Sequence, residues 1–111
     1  MTRPIALITG ASRGLGKHGA LALAAKGVDL IITYRSQAAE AEAVVTQARA
    51  RGVRAHALAL DVGESATFAA FAEEVTQLLA REWQRTHFNF LVNNAGIGIH
   101  ASFEQTTEQQ F

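Results

Sequence analysis

Four glycines fall within ten residues near the start of the chain, in LITGASRGLGKHG from Leu7 to Gly19, between a short apolar run and an alanine-rich one. Glycine lets a backbone turn sharply and approach a ligand closely, and a helix that starts there aims its free amides at an anion. The chemistry indicated is phosphate binding. Gly14, Gly16 and Gly19 spell G-x-G-x-x-G, but the first glycine of that motif belongs in the turn leaving the strand, and the apolar run stops at Ile8 or Thr9. Gly10 holds the turn position, so the better frame is T-G-x-x-x-G-x-G, made by Thr9, Gly10, Gly14 and Gly16. In that frame Gly10 turns the chain, Gly14 admits a pyrophosphate, Gly16 clears the contact of helix and sheet, and the amides around Leu15 face the anion. Gly19, one turn later, is expected to face the sheet as a packing residue. The phosphate loop of nucleoside triphosphatases does not fit, because Ala11 stands where its first glycine is needed and His18 where its Ser or Thr would bind magnesium.

The nucleotide is selected at the end of the second apolar run. An NAD site places an acid about 20 residues past the glycines to accept from the ribose 2'-hydroxyl. Here the sequence is ITYRSQ, with no acid between Leu30 and Gln37 and with Arg35 in that region. Arg13 projects from the glycine loop toward the same space, and two guanidiniums can fork onto a 2'-phosphate. The pattern favours NADP(H) over NAD(H).

Positioning these residues requires a particular order of elements. PIALIT (4 to 9), VDLIITY (28 to 34), VRAHALAL (53 to 60) and FNFLVN (88 to 93) have the length and composition of strands. Between them, helices are predicted from Leu15 to Lys26 closed by Gly27, from Gln37 to Arg51 entered at Ser36 and closed by Gly52, and from about Ser65 to Gln84. The third carries Phe68, Phe71, Ala72, Val75, Leu78 and Leu79 on one face, which is core. Alternating strands and helices predict right-handed crossovers on a parallel sheet. The third strand mixes Arg54 and His56 with small apolar residues, as an edge does. The expected fold is therefore α/β, the first half of a Rossmann-type doubly wound sheet with strand order 3-2-1-4. The whole chain, 1–111, is expected to be one dinucleotide-binding domain, and an incomplete one. Thr106 and Gln109 mark the entry to a fourth helix that stops after about five residues, and the apolar fourth strand would be left at an open edge. Both predict the N-terminal part of something larger, lacking its C-terminal half.

Composition removes other classes of function. Ten basic and ten acidic side chains cancel, so no field gathers nucleic acid or an anionic membrane surface, and no run of like charge forms a tail. The absence of cysteine excludes disulfides, a thiolate nucleophile and thiolate zinc sites, and fits a reducing, cytoplasmic setting. No segment approaches the roughly 20 apolar residues of a membrane span. His18, His56, His87 and His100 lack paired-ligand spacing, so no metal site is expected. Glu73 and Glu74, adjacent on a helix, form a solvated face and not an acid/base pair.

Four segments together resemble the short-chain dehydrogenase/reductase family: TGASRGLG (9 to 16), TYRS (33 to 36), LDV (60 to 62) and LVNNAG (91 to 96). They occur in the family's order and approximate spacing and cover essentially the whole chain. The resemblance implies that Gly10, Ser12, Arg13, Gly14, Leu15 and Gly16 line the pyrophosphate and adenosine ribose, and that Arg35 and Ser36 meet the 2'-phosphate. It implies that Asp61 bonds the adenine amino group with the Val62 backbone beside it, and that Asn93, Ala95 and Gly96 lie along the cofactor. Asp61 and Asn93 also stand at the carboxyl ends of predicted strands, where open parallel sheets bind ligands. Departures from the family's pattern are Asn89 for a frequent Asp, Gly19 for a larger apolar residue, and a longer approach to the fourth strand in REWQRTH.

By resemblance the activity is hydride transfer between nicotinamide and a small carbonyl or alcohol, and the full-length protein is a homo-oligomer. The family's proton donor is a tyrosine with a lysine four residues later. The single tyrosine here, Tyr34, is preceded by both lysines, Lys17 and Lys26, so no Tyr-x-x-x-Lys exists in these residues. No catalytic residue is assigned, and the isolated chain is expected to be inactive. The alternative reading is a non-catalytic nucleotide-binding or regulatory module.

Overall fold

A strand that is apolar without interruption must be covered on both faces, and Ile5–Ile8 and Leu30–Ile32 have no exposed surface at all. The computed structural model describes residues 3–10, 14–60 and 65–93. Its elements are β1 (Ile5–Thr9), α1 (Gly14–Ala25), β2 (Asp29–Tyr34), α2 (Ala38–Arg49), β3 (Ala55–Ala59), α3 (Ser65–Leu78), a π-helical turn (Leu79–Trp83) and β4 (Phe90–Asn93). The sheet order is β3-β2-β1-β4, every pair parallel, as expected for the first half of a Rossmann-type fold.

Alternation along the strands divides the core. Ala6, Ile8, Leu30, Ile32 and Ala55 pack under α1 and α2 through Ala20, Ala24, Ala41, Val44, Val45 and Ala48. Ile5, Leu7 and Ile31 face the opposite way, onto Phe71, Val75 and Leu78 of α3 and onto Leu79. Burial of each large apolar side chain contributes about 1.5–3 kcal/mol, so these two layers are the main stabilising term. The face predicted for the third helix is buried from Phe71 to Leu79. The small residues of α1 and α2 let those helices lie close to the sheet.

Three local expectations are corrected. Gly19 does not pack on the sheet: it is exposed, and a Cβ built there would meet nothing within 4 Å. The buried stripe of α1 instead passes through Gly16, Ala20 and Ala24, at a spacing of four. Ser36 does not cap α2, which starts at Ala38 behind Gln37, a residue without a side-chain cap bond. The third helix is not α-helical to Gln84. It widens to a π turn after Leu78 and closes with Gln84 in the left-handed region at φ 55°. The Gln84 amide donates to Ala80 O and the Arg85 amide to Leu79 O, each one residue further back than in an α-helical Schellman closure.

The extra residue in that turn has a packing consequence. The Trp83 indole N–H donates to Asp29 Oδ2 at 2.8 Å, while Asp29 Oδ1 accepts from the Arg54 amide at 2.9 Å. Asp29 is 4% exposed, so a buried carboxylate joins the start of β2, the approach to β3 and the end of the π turn. His56 meets Trp83 edge to face at 5.5 Å and places Nε2 3.3 Å from Glu82 Oε1. Burial lowers the His56 pKa below its usual 6.5; Glu82 opposes that shift, and Arg49 and Arg81 reinforce it. Asn89, one of the departures from the family pattern, exchanges bonds with β1. Its side-chain oxygen accepts from the Ile5 amide, and its own amide donates to Ile5 O, both at 2.8 Å.

Candidate functional site

Parallel strands deliver their carboxyl ends to one edge of the sheet, and in the order 3-2-1-4 the crevice opens between β1 and β4, where the connections reverse direction. Thr9 and Asn93 are partners across that pair of strands. Gly10 follows β1 at φ +66°, a conformation that costs a residue with a Cβ about 1–2 kcal/mol. That turn frees the chain to leave the sheet on the way to α1.

Gly14, the first residue of α1, also has φ +66°, and a Cβ built on it would point into open space with no atom within 4 Å. It is exposed, whereas Gly16 is buried. These are the surroundings expected of a glycine that admits a ligand and a glycine that admits a packed sheet. Leu15 belongs to the first turn of α1. Among the four glycines, Gly10 thus takes the turn after β1, Gly14 opens α1, Gly16 is buried, and Gly19 is exposed.

At the neighbouring strand end, Arg35 and Ser36 follow Tyr34 directly and are both exposed. The Gly10 amide donates to Thr33 Oγ1 at 3.1 Å, which ties the glycine turn to the end of β2. Thr33 is 2% exposed and stands on the same face as Ile31. No sequence motif assigns Thr33 this role; its one signal is a hydroxyl on the buried face that it shares with Asp29 and Ile31. The Leu60 amide donates to Tyr34 O at 2.8 Å, bringing the segment after β3 to this same edge. Gly10, Arg35, Ser36 and Asn93 thus share the carboxyl end of the sheet. Ser12, Arg13, Asp61, Val62, Ala95 and Gly96 lie outside the described residues.

For proton transfer the described residues offer little here. Tyr34 packs against the layer of α1 and α2. Glu73 and Glu74 are exposed on α3. Among the described residues no group of three or more His, Asp or Glu side chains is placed to hold a metal, and no helix is long and apolar enough to cross a membrane.

A four-stranded parallel sheet with a glycine turn at its reversal point defines a Rossmann-type fold. The chain belongs to the short chain dehydrogenase family, whose model matches residues 4–111. It is 42% identical over 98 residues to a 3-oxoacyl-[acyl-carrier-protein] reductase of Synechocystis, an alignment that covers 87% of this chain and 37% of the relative. Among solved structures it resembles the promiscuous reductase LugOII, which catalyses keto-reduction at C1 in lugdunomycin biosynthesis, with TM-score 0.80 and 32% identity over 86% of this chain and 39% of that one. It also resembles the angucycline C-6 ketoreductase LanV with bound NADP, with TM-score 0.79 and 31% identity over 85% of this chain and 37% of that one. The chain spans about two fifths of the length of these relatives.

Proposed function

We propose that this chain is the cofactor-binding N-terminal part of an NADP(H)-dependent oxidoreductase that interconverts a carbonyl and an alcohol by hydride transfer. The observation that carries the reading is the end of β2, where Arg35 follows the strand directly and no acid stands between Leu30 and Gln37. A carboxylate there would accept from a 2'-hydroxyl and repel a 2'-phosphate; a guanidinium does the reverse. Gly14 fits the same ligand, since its positive φ and open surroundings leave room where a side chain would obstruct a pyrophosphate.

On this reading Gly10, Ser12, Arg13, Gly14, Leu15 and Gly16 cradle the pyrophosphate and adenosine ribose. Arg13, Arg35 and Ser36 hold the 2'-phosphate, and Asp61 with the Val62 backbone holds the adenine. Asn93, Ala95 and Gly96 run along the rest of the cofactor from the end of β4. When bound, the nicotinamide supplies or accepts the hydride. The chain's own residues bind and orient; none is assigned to the proton transfer that accompanies it. The substrate is a small carbonyl compound or alcohol, the setting cytoplasmic, and the full-length protein a homo-oligomer.

Arg35→Asp in the intact protein tests the 2'-phosphate role by fluorescence titration. NADPH is expected to bind about 30-fold more weakly, the equivalent of one charge-assisted bidentate contact, while NADH changes by less than about threefold. Equal losses for the two cofactors overturn the assignment.

A further inference from the structure

The opposite end of the sheet holds a cavity of about 410 Å³ lined by Arg3, Asp29, Gly52, Arg54, Glu82, Trp83, Gln84 and Arg85. Each of these residues comes from the amino-terminal approach to a strand: Arg3 precedes β1, Asp29 opens β2, Gly52 and Arg54 precede β3, and residues 82–85 lead toward β4. Three arginines from segments far apart in the chain therefore line one cavity. Backbone carbonyls hold all three in place. Arg3 Nη1 donates to Gly52 O at 2.6 Å, Arg54 Nη1 donates to Glu82 O, and Arg85 Nη2 donates to Arg3 O while its Nη1 reaches Asn89 Oδ1 at 3.3 Å. A guanidinium has five N–H donors, so these bonds orient each arginine and leave most of its donors for something else.

The two acids of the cavity do not answer the arginines. Asp29 is buried and has both oxygens engaged, by the Trp83 indole and the Arg54 amide. Glu82 turns its carboxylate to His56 and to Arg81, each at 3.3 Å. Among the described residues, no carboxylate accepts from Arg3, Arg54 or Arg85.

We propose that this cavity is an anion site for a phosphoryl dianion, either free phosphate or the terminal phosphate of a small metabolite. Planar guanidinium forks match the geometry and charge of phosphate, and the carbonyl bonds reduce the entropy lost on binding. Its volume exceeds the roughly 30 Å³ share of one water many times over, which leaves room for a small phosphate ester beside the Trp83 ring. The site lies at the other end of the strands from the proposed cofactor, so the two proposals stand or fall separately.

Trp83 is the only tryptophan of these residues and lines the cavity. The test is ¹⁹F NMR of the intact protein labelled with 5-fluorotryptophan, the Trp83 signal being the one lost in Trp83→Phe. Inorganic phosphate and glycerol phosphate are titrated in separate arms against sodium chloride at equal ionic strength. Both phosphates are expected to shift the Trp83 signal with half-saturation on the order of 1 mM. Tighter binding of the ester assigns the site to a phosphorylated metabolite, and equal binding assigns it to the free ion.

The Arg3→Gln/Arg85→Gln variant is expected to weaken either response by about tenfold or more. Arg35→Asp, at the other end of the sheet, is expected to leave it unchanged. Arg3→Lys/Arg85→Lys keeps both charges and a donor for each carbonyl, and is expected to retain a response between those of the wild type and the glutamine variant. A Trp83 signal that does not move, moves equally with chloride, or responds to phosphate as strongly in the glutamine variant as in the wild type overturns the proposal.

Discussion

The two ends of the sheet are held in different ways. At the carboxyl end, glycine geometry and strand register do the work: Gly10 and Gly14 at positive φ, Thr9 opposite Asn93, and one hydroxyl, Thr33, receiving the Gly10 amide. At the amino end, side chains hold the segments together. Asp29 bonds Trp83 across 54 residues of sequence, Arg3 reaches Gly52 across 49, and Asn89 meets Ile5 across 84. The first arrangement leaves open space beside exposed backbone, as a ligand site requires. The second saturates a buried carboxylate and fixes the crossover from α3 back to β4. The comparison teaches that the backbone geometry of the proposed cofactor site and the side-chain bonds that fix the fold lie at opposite ends of the same strands, so substitutions at the two ends should separate cofactor affinity from stability.

The largest separation is expected from Asp29→Ala. It leaves the Trp83 indole and the Arg54 amide without their buried acceptor, for a loss of about 2–4 kcal/mol of stability by urea denaturation. A loss below about 0.5 kcal/mol would break the comparison, because the amino end would then not be holding the fold. Gly14→Val should show the converse. Cofactor affinity is expected to fall about 100-fold or more in a fluorescence titration, since a branched side chain enters the open space before α1. Stability should fall by only about 1–2 kcal/mol, from the left-handed backbone. Retained NADPH affinity would show that the glycine turn is not the pyrophosphate site.

The smallest effect sharpens the account of the amino end. His56 has its pKa lowered in the folded protein, chiefly by burial, so the unfolded chain binds the proton more readily. Its contribution to stability is therefore fully present above about pH 6.5 and is lost as the pH falls through that value toward the folded pKa. The stability curve of His56→Gln should be flatter than wild type over that window. Parallel curves would mean that Glu82 cancels the effect of burial.

Much of the fold was legible because it is written in local, periodic signals. Uninterrupted apolar runs identified β1 and β2, the Arg54 and His56 alternation marked β3 as an edge, and Phe71 to Leu79 marked the buried face of α3. Gly10 was legible as the turn residue because a glycine directly after an apolar run has few other uses. The face of Gly19 is not legible in the sequence, because a glycine in a helix carries no side chain to report it, and only the packed helix shows that the buried stripe passes through Ala20. The π turn was equally hidden, since LAREW has the composition of an ordinary helix.

The sequence by itself determined the order of elements, the parallel sheet, the glycine turn after β1 and the absence of an acid after β2, because each depends on residues within one turn or one strand of each other. Only the tertiary structure decided that Asp29, Trp83, His56 and Glu82 form one cluster and that Arg3, Arg54 and Arg85 share a cavity. The contacts that bring them together span 25 to 82 residues of sequence. Contacts across such distances leave no period in the sequence; they arise when strand pairing aligns the starts of four strands and the π turn swings Trp83 onto the buried carboxylate.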